Sequence, residues 1–238
     1  MSRLTRKEMK RDEVLDWLGR TVEYMRKHSR SLLGVAAAMV AVAAIVAAVV
    51  AYRGKQAERA NGLLTEALAI YNAPIDALKA TPDDSKNPSF ADEETRKLRA
   101  KEKFESLRTD FEGKGMGGIA AAYLGDLAAD SGDYERAEAL WREAMVAVAD
   151  TFLAGRLQLN LISLGKSQGR SEAVVEELRG LLNSASASLP ADALLYELAK
   201  ALESLERPDA AASAYQRLVD EYYDSIYAPD ARRRLDEI

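Results

Sequence analysis

Residues 118–148 read GIAAAYLGDLAADSGDYERAEALWREAMVAV, and the pattern of this stretch recurs along the chain every 37 residues. Its large apolar residue, Trp141, has counterparts at the same interval in Phe104, Leu178 and Tyr215. A fixed period of this length indicates a supersecondary unit that buries its apolar face by stacking on copies of itself. The sequence therefore predicts a stacked array of repeats, with this column of large residues in its core.

Each repeat is predicted to be two helices joined by a short turn. Helices are expected at Gln56–Tyr71, Asp92–Phe111, Ile119–Asp130 and Tyr134–Val148, with turns at residues 131–133, 168–170 and 206–208. GKGMGG, residues 113–118, is predicted to be a break between pairs, because glycine is a poor helix former. Pro208 is expected to open a helix, and Pro229 to begin a final helix that caps the stack.

Small residues are expected where the two helices of a pair approach each other. Gly125 and Ala137 provide such positions, and Trp141 and Tyr215 are predicted to fill the space between neighbouring pairs. The predicted fold class is therefore all-α: a single N-terminal transmembrane helix, an α-solenoid of about four helix pairs and a C-terminal capping helix.

The transmembrane helix is predicted from Leu32–Tyr52, a run of twenty-one residues without a charge, flanked by Arg30 and Arg53. At a rise of about 1.5 Å per residue, this run matches a hydrocarbon core of roughly 30 Å. Two alternatives stay open. The high alanine content is compatible with a buried helix of a soluble protein, and a cleaved signal peptide would also be apolar, although its apolar core is only about 7 to 15 residues long.

The segment before this run differs from the rest in charge. Residues 1–31 carry nine Lys or Arg against five Asp or Glu, whereas the whole chain has a net charge of −5. The positive-inside rule predicts a cytoplasmic tail at 1–31, a span at 32–52 and an extracytoplasmic repeat domain at 53–238, in the periplasm if the source is a double-membraned bacterium. An amphipathic helix is predicted at Arg11–His28, on a membrane surface, against a partner helix or as a loosely ordered continuation toward the membrane.

Composition argues against an enzyme. The chain has no cysteine, which excludes disulfides, thiolate zinc sites and cysteine nucleophiles. Its single histidine, His28, falls in the predicted tail, and GKGMGG lacks the Lys and Ser or Thr that close a phosphate loop. The acidic repeat region also disfavours binding to nucleic acid. We therefore predict a non-catalytic protein with no cofactor, metal site or nucleic-acid partner.

The repeats resemble a known family. The spacing of Leu124-Gly125, Ala128, Gly132, Ala137, Trp141 and Ala144 is similar to that of the tetratricopeptide repeat. The likeness covers residues 118–238 well and 56–114 loosely. It departs from the family pattern at Ala121, where an early aromatic residue is expected, and at Ala149, where a closing proline is expected. The resemblance implies helix pairs with a concave groove that binds proteins or peptides.

In that family the first helix of each pair lines the concave side. Carried over position by position, the resemblance implies eight partner-binding residues here: Ala122, Asp126, Leu159, Ser163, Lys166, Tyr196, Lys200 and Glu203. Lys166, Tyr196 and Lys200 would form a mixed polar and aromatic strip that holds a peptide or a partner loop. The alternative is an ordinary solvated face.

The overall plan of a short charged tail, one span and an external stack of repeats resembles the YfgM-type ancillary subunit of the SecYEG translocon. The resemblance implies a protein tethered in the bacterial inner membrane, near the translocon, that works with periplasmic chaperones on emerging chains. A structural scaffold subunit of a stable envelope complex is the alternative function. Formation of a homo-oligomer is compatible with either function.

Overall fold

The computed structural model describes residues 29–78, 80–82, 84, 87–113, 115–148, 152–184 and 188–238. Within these ranges the only β-type pairing is an isolated bridge between Ile75 and Phe90, and all regular structure is helical. The predicted all-α class is confirmed, whereas the predicted tail helix lies outside the described residues. The helices are α1 Ser29–Tyr71, α2 Glu93–Asp110, α3 Gly115–Asp130, α4 Tyr134–Val148, α5 Phe152–Ser167, α6 Ser171–Leu182, α7 Ala191–Glu203, α8 Pro208–Glu221 and α9 Ala228–Glu237.

Helix α1 is continuous over 43 residues. The sequence predicts a span over Leu32–Tyr52 and an amphipathic helix over Gln56–Tyr71, and in the structure one helix covers both and passes through Arg53-Gly54-Lys55 without interruption. Arginine and lysine are good helix formers, and one glycine costs only about 1 kcal/mol in a helix interior. The part of α1 from Ala37 onward is long and apolar enough to cross a membrane, and its most apolar stretch of 18 residues is not buried against the rest of the chain.

The chain divides into two compact units, one ending at Arg59 and the other spanning Ala60–Ile238. In the second unit, each helix from α2 to α9 packs against the next one along the chain. Contacts between α3 and α4 show how such neighbours meet: a Cβ on Gly118, near the start of α3, would lie 2.4 Å from the Cβ of Ala147, near the end of α4. Neighbours in this arrangement run antiparallel.

The core contains the predicted column of large residues. Phe104, Trp141, Leu178 and Tyr215 are all buried. Gly125 lies against Trp141, and a Cβ added there would come within 2.5 Å of the indole Cδ1. Real side-chain carbons are essentially never this close, so the glycine is what allows the indole to pack against α3.

The predicted turns are present. Gly132 and Gly169 have φ angles of 81° and 71°, and Glu206, at the equivalent position of the next turn, has a φ of 55°. Pro208 opens α8 as predicted, and the final helix begins one residue before Pro229.

The prediction for GKGMGG is wrong over most of its length. Helix α3 begins at Gly115, so only the segment around Gly113 forms a break. Gly117 and Gly118 are buried inside the helix, and a Cβ on Gly117 would lie 2.3 Å from the carbonyl oxygen of Phe111. Close approach to neighbouring helices outweighs the low helix propensity of glycine here.

The connection between α1 and α2 is longer than the turns that end α3, α5 and α7, and it packs back onto the helices. The Phe90 amide donates to the Pro74 carbonyl, and the Phe90 side chain is buried. Asp92 caps α2 by accepting a 2.7 Å hydrogen bond from the Thr95 amide. The guanidinium of Arg96 also donates to the Ala73 carbonyl, which joins the start of α2 to the end of α1.

Candidate partner-binding cleft

The eight predicted partner-binding residues lie on three helices, with two on α3, three on α5 and three on α7. Seven of them are at least partly accessible, but Ala122 is fully buried. Ala122 is therefore a core residue, and the prediction that it lines an open groove is wrong. Leu159 is half-buried on α5.

Asp126 and Ser163 line an open cleft of about 440 Å³. One wall comes from α5, the other from α3 and α4, and Tyr71 contributes from the end of α1. The lining combines aromatic, hydroxyl, amide and charged side chains: Tyr71, Asp126, Ala129, Asp130, Tyr134, Trp141, Arg156, Asn160, Ser163, Leu164 and Ser167. Mixed walls of this kind suit a ligand that offers both polar and apolar groups.

Asp126 is the centre of a hydrogen-bond network within the cleft. It accepts from Trp141 Nε1 at 3.0 Å, from Arg156 Nη1 at 2.7 Å and, more weakly, from Asn160 Nδ2 at 3.4 Å. The Arg156 guanidinium also lies 5.8 Å from the ring centroid of Tyr123. Because three donors converge on one carboxylate, the network fixes the walls of the cleft and compensates the charge of Asp126.

Aromatic rings extend this network toward the first helix pair. Tyr123 stacks on Phe104 with a centroid distance of 4.9 Å and an interplanar angle of 3°. Tyr71 meets both rings edge to face, at 5.2 Å from Tyr123 and 6.1 Å from Phe104. These pairs couple the lining of the cleft to the core beneath it.

A second cluster surrounds Glu197 on α7. Lys166 of α5 donates to the Glu197 carboxylate, and Lys200 lies 3.6 Å from its other oxygen. The Lys200 ammonium is also 5.2 Å from the ring centroid of Tyr196. The structure thus brings together the three residues of the predicted strip, but through an acidic residue that was not predicted to belong to it.

Tyr196 is held by the C-terminal helix. Its hydroxyl donates to Asp230 at 2.6 Å, and its ring stacks on Tyr227 at 4.8 Å. Burial and this bond to a carboxylate raise the pKa of Tyr196 to about 12. The same bond, together with the nearby Arg233 and Arg234, lowers the pKa of Asp230. Tyr196 is therefore occupied by contacts within the chain.

Glu203, the last of the predicted residues, lies near the buried hydroxyl of Tyr215. Burial and then the Glu203 carboxylate raise the pKa of Tyr215. Although the two groups interact electrostatically, the hydroxyl has no hydrogen bond of good geometry with the residues that the structure describes. This position belongs to the junction of α7, α8 and α9 rather than to the open cleft.

Several site residues were missed by sequence reasoning. Tyr123, Asn160 and Glu197 form a column at the 37-residue interval, one position after the predicted column of Ala122, Leu159 and Tyr196. That interval was the signal that could have found them. Arg156 and Tyr71 had no such signal, because they reach the cleft from the start of α5 and from the loosely matching first pair.

No protein-family model matches the chain, and no curated protein matches it. Within the described ranges, no group of three or more His, Cys, Asp or Glu side chains is placed to hold a metal ion. What the cleft offers chemically is shape, hydrogen-bond donors and acceptors, aromatic rings and one exposed carboxylate at Asp130.

Proposed function

We propose that this chain is a membrane-anchored, non-catalytic protein–protein interaction module that acts as an accessory factor in protein export or periplasmic chaperoning. The observation that carries the proposal is the open cleft of mixed polar and aromatic lining between α3, α4 and α5. It combines with one helix that is long and apolar enough to anchor the chain in a membrane.

Polar contacts between alternate helices support a tetratricopeptide-like solenoid. On the second helices of the pairs, a carboxylate of one helix binds an arginine on the next such helix or at its start. Three ion pairs form this series: Glu105–Arg136 at 3.0 Å, Glu138–Arg170 at 2.6 Å and Glu172–Arg207 at 3.0 Å. The Glu105–Arg136 ion pair joins α2 to α4, the Glu138–Arg170 ion pair joins α4 to the start of α6, and the Glu172–Arg207 ion pair joins α6 to the start of α8.

The first helices carry a matching series. Asp126 binds Arg156, Lys166 binds Glu197, and Tyr196 binds Asp230, which joins α3 to α5, α5 to α7 and α7 to α9. Two parallel series of contacts between every second helix are what a stack of helix pairs requires. In this proposal, α9 is the capping helix, and the cleft is part of the concave side.

The proposed location is the bacterial inner membrane, with the tail in the cytoplasm and the repeats in the periplasm. Its partners would be translocon subunits, periplasmic chaperones or emerging chains. The alternative is a scaffold subunit of a stable envelope complex. A translocon accessory contacts many client chains, whereas a scaffold contacts a few subunits in constant ratio, so partner identity separates the two.

Site-specific photo-crosslinking tests the proposal. A photoreactive amino acid replaces Ser163, which is exposed in the cleft, and in a control protein it replaces Thr109, which is exposed on α2 outside the cleft. After irradiation of cells that produce either variant, mass spectrometry identifies the crosslinked proteins.

We expect position 163, but not position 109, to crosslink translocon subunits and a range of exported chains. Crosslinks from position 163 to the same few envelope subunits, in constant ratio, would favour the scaffold. Identical crosslinks from both positions would refute a function based on the cleft.

A further inference from the structure

The cleft lining includes an exposed carboxylate and an exposed aromatic ring where α3 ends at Asp130 and α4 begins at Tyr134. The Asp130 side chain is 52% exposed, and Tyr134 is 49% exposed. Of the three charged residues that line the cleft, Arg156 is bound to Asp126, so Asp130 has no oppositely charged partner among the lining residues. Lys97 reaches Asp130 from outside the cleft at 3.2 Å, but it is shared with Glu93 at 2.9 Å.

The other wall is a polar stripe along α5. Arg156, Asn160, Ser163 and Ser167 are spaced by four, three and four residues, so they lie on one face of the helix, and all four line the cleft. Eleven residues at a rise of about 1.5 Å give a stripe about 17 Å long, which an extended segment of about five residues spans. Asn160 retains an amide oxygen and an N–H for a ligand, which match the N–H and C=O of a peptide backbone.

Two other tyrosine rings of the chain already have a cationic side chain over them. Arg156 lies over Tyr123 at 5.8 Å, and Lys200 lies over Tyr196 at 5.2 Å. The Tyr134 ring, which is half exposed, lines the cleft together with Asp130. A carboxylate beside an aromatic face is complementary to an ammonium or guanidinium group.

We infer that the cleft binds an extended polypeptide segment of about five residues whose basic side chain lies beside Asp130 and Tyr134. This inference rests on the proposed function, and it names the class of partner segment that the cleft selects. The backbone of the bound segment forms hydrogen bonds with Asn160, and the basic side chain of the segment determines which segments bind most tightly. Lysine-containing or arginine-containing segments are therefore preferred over neutral and acidic ones.

Fluorescence anisotropy with the full-length protein in neutral detergent micelles tests this inference. The probes are fluorescein-labelled Gly-Ser-Lys-Ser-Gly and two matched peptides that carry methionine or glutamate in place of lysine. We expect the lysine peptide to bind about fivefold more tightly than the methionine peptide, because one exposed ion pair and one cation–π contact are gained. Glutamate should weaken binding further, and n-butylammonium at the same concentration should not displace the lysine peptide, since it lacks the backbone.

Asp130→Asn should remove the lysine preference, so that the lysine and methionine peptides bind alike. The matched control is Glu94→Gln, which removes the same charge from an exposed position on α2 that does not line the cleft, and it should keep the preference. Asn160→Ala should weaken both peptides by similar factors.

Equal binding of the lysine and methionine peptides to the unmodified protein would overturn the inference and leave the proposed function standing. A lysine preference that survives Asp130→Asn, or that Glu94→Gln abolishes equally, would overturn the assigned position. Displacement by n-butylammonium as effective as that by unlabelled peptide would overturn the polypeptide part. Absence of binding by all three peptides would also overturn the inference, and the crosslinks from position 163 then decide separately whether the proposed function fails.

Discussion

Helices α3 and α4, the second pair in the sequence repeat, and helices α7 and α8, the fourth, carry equivalent sequence positions 74 residues apart but solve the same packing problem differently. Trp141 and Tyr215 are equivalent and both are buried. Gly125 lies against Trp141 in the second pair, and the fully buried Ala199 holds the equivalent sequence position in the fourth. Because a phenol is smaller than an indole, the fourth pair accommodates a methyl group where the second accommodates none. In these two pairs a smaller ring goes with a larger residue at the other position, so packing constrains the combined volume rather than the identity of either residue.

The polar positions next to the core differ more. Arg156 and Asp230 are equivalent, 74 residues apart, yet they carry opposite charges. Arg156 binds Asp126 at the wall of an open cleft, whereas Asp230 accepts a hydrogen bond from the Tyr196 hydroxyl, whose ring stacks on Tyr227. Equivalent positions in the repeat can therefore carry opposite charges and bind different partners, because packing constrains the core positions and not these polar ones.

The largest expected effect comes from truncating the indole of the second pair. Trp141→Ala should lower the free energy of unfolding by about 3 to 5 kcal/mol, because it empties a core site and removes one donor from Asp126. Guanidinium denaturation of the full-length protein, followed by far-UV circular dichroism, measures this change. Val146→Ala on the same helix is the control, since Val146 is 87% exposed and should change stability by less than about 0.5 kcal/mol. An unfolding midpoint for Trp141→Ala equal to that of the parent would mean that the second pair is not held by its indole.

A smaller effect is expected from adding the methyl group that the fourth pair tolerates. Gly125→Ala should destabilise the protein by about 1 to 3 kcal/mol, since the new Cβ would lie 2.5 Å from the indole Cδ1. Gly180→Ala is a matched control within α6, where a Cβ meets nothing within 4 Å. It should stabilise the protein by about 0.5 to 1 kcal/mol, because alanine is the better helix former. Guanidinium denaturation again measures the free energy of unfolding. A change of the same sign for both variants would contradict the explanation based on volume.

The parts of the fold that were predicted are those that the period itself encodes. The positions of α4, α8 and the turns follow from the recurrence of large and small residues, which packing enforces at every repeat. Gly117 and Gly118 were misjudged because low helix propensity was weighed without the neighbours that they contact, Phe111 and Ala147. The continuity of α1 does not follow from hydropathy, because the change at Arg53 marks the end of an apolar run, not the end of a helix.

The site was less predictable for a physical reason. Its helices were expected from the resemblance, and in the structure Lys166 and Lys200 both contact Glu197, with Lys200 over the Tyr196 ring. Which side chains point outward depends on small rotations of each helix, and these bury Ala122. The ion-pair partners, such as Glu197 for Lys166, lie on different helices, and their pairing depends on how far one repeat is displaced from the next. A sequence period fixes spacing along the chain but not that displacement.

The smallest expected effects come from substitutions at the two turns that contain Gly132 and Glu206. Gly132 and Glu206 occupy equivalent positions with φ angles of 81° and 55°, in the left-handed region that favours glycine. A residue with a side chain is less stable in this backbone conformation by roughly 1 to 2 kcal/mol. Replacing it with glycine removes this strain, but glycine loses more conformational entropy on folding, which offsets part of the gain. Glu206→Gly should therefore stabilise the protein by about 0.5 to 1 kcal/mol, measured as a rise in the denaturation midpoint. The reciprocal change, Gly132→Ala, should destabilise it by about 1 kcal/mol, although a Cβ there meets nothing within 4 Å. Because neither change alters a packed contact, opposite signs would show that backbone conformation alone distinguishes the two turns, and equal signs would refute that explanation.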